Sequence, residues 1–133
     1  MRRCILASHH RFAEGLRDTL EFIGGVQNVD VVCAYVDETP LDEQVSALFS
    51  SFDPSDEVLI LTDIMQGSVN QAFAPYMGEK VFLVAGANVA CALELLLSDE
   101  PLSTAFVGGV IEAARQAMVL MNTYRVADDD DDE

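Results

Sequence analysis

Two hydrophobic rhythms alternate along this chain: short continuous aliphatic runs, and longer stretches in which apolar residues recur every three or four positions. Arg3 to Ala7 reads as a first strand. Phe12, Leu16, Leu20 and Ile23 then fall on one face of an amphipathic helix, which Gly24-Gly25 closes in the manner of a C-cap. Val29 to Val36, rich in β-branched residues, reads as strand two. Thr39 is placed to act as an N-cap, with Pro40 at the first helical position and Asp42 and Glu43 near the positive end of the helix dipole. Val45, Leu48, Phe49 and Phe52 give that second helix its buried stripe. Asp53 to Asp56 is a turn. Glu57 to Thr62 is the most apolar strand, and its lack of alternation suits a central parallel strand covered on both faces.

A loop over Asp63 to Gly67 leads into a short helix through Val69, Phe73 and Tyr76. Lys80 to Ala85 reads as strand four, and helices are expected over Asn88 to Leu97 and Thr104 to Met121. Tyr124-Arg125-Val126 is too short to assign, a brief C-terminal edge strand being one reading of it. The alternation predicts an α/β fold: an open, doubly wound parallel sheet of four strands in the order 2-1-3-4, with right-handed crossovers and helices on both faces. No repeat or linker interrupts it, so residues 1–127 are expected to form one domain, followed by an acidic disordered tail over 128–133.

Composition narrows the class. Half of the 133 residues are apolar, enough for a packed core. The apolar run after Met-Arg-Arg is broken by His9, His10 and Arg11, which fits neither a signal peptide nor a membrane span, and cytoplasmic residence is expected. Cys4, Cys33 and Cys91 sit singly among aliphatic neighbours, without metal-ligand spacing, and read as small buried hydrophobes in a reducing compartment. The formal charge is −16; six of the acids lie in residues 128–133, leaving −10 on residues 1–127. Such a balance repels phosphate backbones, so no nucleic-acid partner is expected, and it favours a basic protein partner through steering.

Chemistry gathers where strands end. Ser8-His9-His10 follows strand one, and His9 and His10 are the only histidines. Thr62-Asp63 with Gly67-Ser68 follows strand three. In the order 2-1-3-4 these two loops face each other at the switch point, bringing His9 within reach of the Asp63 carboxylate. A carboxylate on one ring nitrogen fixes the tautomer that leaves the other with a free lone pair, and it stabilises the charge that develops as imidazole attacks an electrophile. Gly67 lets backbone approach a tetrahedral anion, and Ser68 offers a hydroxyl beside helix N–H groups. Together these parts suit phosphoryl transfer to and from nitrogen. The same residues also admit bland roles: a structural histidine, Asp63 as a helix cap, and ordinary turn chemistry at Gly67-Ser68. No glycine-rich nucleotide loop is present.

Three segments, spanning most of residues 3–121, resemble the EIIA domain of the mannose family of the bacterial phosphoenolpyruvate-dependent sugar phosphotransferase system (PTS). They are Ile5 to His9 with Phe12 to Leu16, Val58 to Asp63 with Gly67 to Asn70, and Val84 to Asn88 with Glu94. The resemblance implies that His9 accepts a phosphoryl group from the phosphocarrier HPr and passes it to a histidine of the EIIB component, with Asp63 supporting His9. On that reading Ser68, Gly67 and Arg11 surround the phosphoryl group. It implies a homodimer, often built by exchange of a C-terminal strand, and no metal or organic cofactor. His10 stands where the family generally has glycine, Val69 where many members have proline, and Val89-Ala90-Cys91 lacks the proline common after Gly-x-Asn. Two other destinations fit the same fold: the phosphotransfer subunit of a dihydroxyacetone kinase, and a regulatory module that relays no phosphate.

Overall fold

The computed structural model describes residues 1–125. Four strands, β1 (Arg2–His9), β2 (Val29–Ala34), β3 (Glu57–Thr62) and β4 (Val81–Ala85), form one parallel sheet in the order β2-β1-β3-β4. Helices α1 (Phe12–Gly24), α2 (Leu41–Ser50), α3 (Ser68–Phe73) and α4 (Val89–Leu97) follow the strands in turn, and α5 (Thr104–Ala114) comes last. This is the doubly wound α/β fold that the alternation predicts.

Side-chain alternation along the two central strands divides the core into two layers. Leu6 of β1 with Leu59 and Leu61 of β3 pack under α1, α4 and α5, against residues such as Leu16, Leu20, Leu95 and Val107. Ile5 and Ala7 with Val58 and Ile60 face the opposite side, against Val45 of α2 and Val69 and Phe73 of α3. Ile5, Leu6, Leu59 and Ile60 are wholly buried. Burial of each such side chain stabilises the fold by about 1.5–3 kcal/mol, which makes β1 and β3 the most firmly held part of the molecule.

Element ends depart from the sequence expectations in instructive ways. β1 runs two residues past Ala7, because Ser8 and His9 continue the ladder opposite Cys33 and Ala34. α2 begins one residue later than Pro40, whose carbonyl accepts from the Glu43 and Gln44 N–H groups, while Asp37 Oδ1 takes the Thr39 N–H in a turn. Gly25 closes α1 with φ 68°, a left-handed conformation that glycine adopts without strain. α5 stops at Ala114 instead of reaching Met121: the Ala114 carbonyl accepts from Asn88 Nδ2 at 2.9 Å, and a single 3₁₀ turn over Arg115–Ala117 ends the helical path. Met118, Leu120 and Met121 beyond it are exposed and find no core to join. Tyr124 and Arg125 lie outside any strand, and Val126 and the tail expected over 128–133 lie outside the described residues.

Candidate active site

Period-two alternation at the end of β1 sends its last two polar side chains to opposite faces. Ser8 points toward α1, where its buried hydroxyl accepts the Ala13 N–H at 2.7 Å and donates to the His10 carbonyl at 3.0 Å. That one hydroxyl supplies the N-terminal bond that Arg11, the residue at the cap position, does not. His9 points the other way, toward α3. The neighbouring tip of β3 then meets it, as the strand order predicts.

Asp63 Oδ2 lies 2.9 Å from His9 Nδ1 and also accepts the His9 backbone N–H at 2.9 Å. Oδ1 accepts the Ile64 N–H at 3.0 Å, so Asp63 does not cap α3. Burial is the largest single influence on the Asp63 carboxyl and opposes its charge. The two bonds from His9, followed by Asp63's own backbone N–H and by attraction to His9, outweigh it and hold the group below its ordinary value. An ionised carboxylate has no proton to give, so Nδ1 carries the proton and Nε2 of the neutral ring carries the lone pair. The His9 side chain is 38% exposed against 15% for Asp63: the anchored nitrogen faces inward and the free one faces solvent.

One hydroxyl approaches that free nitrogen, and a second approaches the first. Ser68, the first residue of α3, places Oγ 3.3 Å from Nε2. Tyr35, just past β2, places its hydroxyl 2.7 Å from Ser68 Oγ, with its ring centroid 5.8 Å from that of His9. Gly67 permits the closeness: a Cβ there would stand 3.0 Å from both His9 Cε1 and Ile64 Cγ1. The tip of β3 is fixed in turn by Thr62, whose hydroxyl lies 3.0 Å from Asn70 Oδ1 and 3.3 Å from the Val84 carbonyl.

Four of the five sequence-predicted site residues, His9, Asp63, Gly67 and Ser68, thus converge on one imidazole. Arg11 does not join them by contact. Its exposed guanidinium lies 3.7 Å from Glu14, one turn along α1. His10 is exposed in the turn after β1 at φ 54°, its N–H donating to the Ala34 carbonyl at 2.8 Å. Asn88 and Glu94 also stand apart, Asn88 capping α4 through the Cys91 N–H. Tyr35 was missed, as was the capping role of Ser8. The available signal was strand order: with β2 beside β1, whatever follows Ala34 must emerge next to His9. Among the described residues no three His, Cys, Asp or Glu side chains are grouped to hold a metal ion, and no helix is long and apolar enough to cross a membrane.

A family model described as PTS system fructose IIA component matches residues 3–114. A Klebsiella pneumoniae protein described as a phosphoenolpyruvate-dependent sugar PTS permease is 35% identical over 92% of each chain and superposes with a TM-score of 0.85. The PTS IIA protein associated with the fucose utilization operon of Streptococcus pneumoniae is 25% identical over 91% of this chain and 93% of its own, at a TM-score of 0.72. The mannose/sorbose-specific IIA subunit from Enterococcus faecalis, 21% identical over 95% of this chain and 98% of its own, bears on the fold alone, at a TM-score of 0.76.

Proposed function

Since the chain belongs to the mannose-type EIIA family of PTS components, whose work is phosphoryl transfer in sugar uptake, we propose that it carries the phosphoryl group on Nε2 of His9. It takes the group from phosphorylated HPr and delivers it to a histidine of an EIIB component in the cytoplasm. The observation that carries this reading is the Asp63 carboxylate on Nδ1, which leaves a solvent-facing lone pair on Nε2. In-line attack by that lone pair forms a P–N bond as the donor's P–N bond breaks, and the donor histidine leaves with its electron pair. Positive charge develops on the His9 ring during the step, and the Asp63 carboxylate beside Nδ1 stabilises it. Gly67 leaves room for a tetrahedral group, and the Ser68 hydroxyl is near enough to donate to one of its oxygens.

We extend the reading to a homodimer. Met118, Leu120 and Met121 form an exposed apolar run, and β4 lies at an edge of the sheet; both features suit pairing with a second copy.

The test is phosphorylation by Enzyme I, HPr and phosphoenolpyruvate, followed by mass spectrometry at neutral pH and after acid. One acid-labile phosphoryl group mapped to His9, absent from His9→Ala, is expected. Labelling that persists in His9→Ala, or none in the parent protein, overturns the assignment. Adding EIIB should then drain the label; drainage only by a kinase-bound nucleotide would redirect the acceptor.

A further inference from the structure

The hydrogen bonds around His9 have directions that Asp63 dictates. A carboxylate only accepts, so His9 Nδ1 donates to it, and in the neutral ring, the form able to attack phosphorus, Nε2 accepts. Ser68, at 3.3 Å, must therefore give its single proton to Nε2. Its shorter bond, 2.7 Å to Tyr35, must then be one in which Tyr35 donates and Ser68 accepts. The order Tyr35 to Ser68 to Nε2 leaves the serine oxygen tightly tied to the tyrosine and only loosely tied to the nitrogen that attacks.

Tyr35 reaches this position through an uncommon backbone. Its φ is 69°, a left-handed conformation that costs a bulky residue on the order of 1 kcal/mol or more. Of the four non-glycine residues with positive φ among the described residues, His10, Tyr35 and Gln66 sit in turns at the carboxyl end of the sheet. The Tyr35 ring stays half exposed, so core packing alone does not explain the strained placement, whereas the bond to Ser68 uses it.

We propose that Tyr35 is a positioning residue for phosphoryl transfer, holding the Ser68 hydroxyl as a donor first toward His9 Nε2 and then toward the phosphoryl group that forms there. The inference rests on His9 being the phosphoryl acceptor. As the new P–N bond forms at Nε2, the lone pair that accepted from Ser68 is consumed. The Ser68 proton stays on its own oxygen and turns to a phosphoryl oxygen. Tyr35 keeps its proton and its bond to Ser68, so neither hydroxyl gains or loses a proton. The role of Tyr35 is to prevent Ser68 from turning away during that change of partner.

The experiment is single-turnover phosphorylation of the full chain by phosphorylated HPr, comparing Tyr35→Phe, Ser68→Ala and the double variant. Tyr35→Phe keeps the ring and loses only the hydroxyl. The inference expects its maximal rate to fall about fivefold, roughly 1 kcal/mol, with the donor concentration at half-maximal rate unchanged. It also expects the double variant to be no slower than Ser68→Ala. Independently of activity, the Nε2 nitrogen resonance of neutral His9 should move toward that of a non-hydrogen-bonded imidazole in Tyr35→Phe. A parent-like rate in Tyr35→Phe, multiplying losses in the double variant, an effect on half-saturation alone, or an unmoved nitrogen resonance overturns the inference while His9 stays the acceptor. A parent protein that takes no label at His9 overturns both.

Discussion

The two ends of the sheet each carry a cluster of charged and polar groups, and they differ in what is left unused. At the amino end, Asp56 accepts from Arg3 Nε and the Asp53 N–H, both at 3.0 Å, and lies 3.3 Å from the chain's terminal amine, with its side chain only 4% exposed. Arg2 bridges Glu57 and the carbonyls of Ser98 and Glu100, while Glu57 also accepts the Leu102 N–H. Each acid there is met by two or more donors, and the result ties β1 to β3 and the sheet to the loop after α4. At the carboxyl end Asp63 is equally well supplied, but the imidazole it anchors keeps a nitrogen facing solvent with only a long bond to Ser68. Burial and charge density alone would rank the amino end higher. What separates a reactive site from a structural clasp is a positioned lone pair with nothing firmly bound to it.

The sharpest way to break this contrast is Asp63→Asn. One Asp63 oxygen takes both bonds from His9, so the amide places there either its oxygen, which keeps both bonds without the charge that opposes the imidazole's, or its nitrogen, which loses the backbone bond and presents a donor that moves the ring proton to Nε2. Phosphorylation of His9 is expected to slow about 10²- to 10³-fold, measured by rapid quench. Stability should respond to pH in a defined sense. The Asp63 carboxyl is held below its ordinary value by His9 after the opposing effect of burial. Its stabilising contribution is therefore present above the unfolded carboxyl's value, about pH 4, and is lost as pH falls through the lower folded one. Parent and variant urea midpoints should differ at neutral pH and converge in acid. An unchanged rate would reduce Asp63 to the kind of clasp that Asp56 is.

Asp56→Ala inverts the pattern. The Asp53 N–H, Arg3 and the terminal amine together keep the Asp56 carboxyl ionised, the backbone bond being the largest influence. Removing it strips all three of their acceptor. A clear drop in thermal midpoint is expected, while the phosphorylation rate at a temperature where both proteins are folded stays within about twofold of the parent. A collapse of the rate in folded protein would mean that β1 couples its two ends, and the division between clasp and site would fail.

Much of this division was legible in the chain itself. Continuous aliphatic runs mark β1 and β3 because both of their faces are covered, and the strand order then places Asp63 beside His9. Three features were not legible, each for a physical reason. Tyr35 belongs by composition to the run Val29 to Val36; only its positive φ takes it out of the strand, and residue type does not announce a left-handed tyrosine. The helix expected over Thr104 to Met121 ends at Ala114, because an apolar run does not say whether a packing partner exists, and Val119, Leu120 and Met121 are exposed. Arg11 is close to His9 in sequence, but the entry into α1 turns its guanidinium toward Glu14.

His10→Gly should have the smallest effect, and it tests whether the carboxyl-end site holds one working imidazole or two. His10 sits in the turn that carries the chain from β1 into α1, a path that needs φ 54° there. Its carbonyl accepts from Ser8 and its N–H donates to Ala34, and both bonds survive substitution because both are backbone groups of residue 10. Glycine relieves left-handed strain of about 1–2 kcal/mol but adds unfolded-state entropy that returns roughly 0.4–1 kcal/mol. A net gain between about 0 and 1.6 kcal/mol in urea unfolding is expected, with His9 phosphorylated at a rate within about twofold of the parent. Loss of label from His10→Gly would instead make the second histidine a participant. The free lone pair on His9 would then no longer suffice to distinguish this end of the sheet from the other.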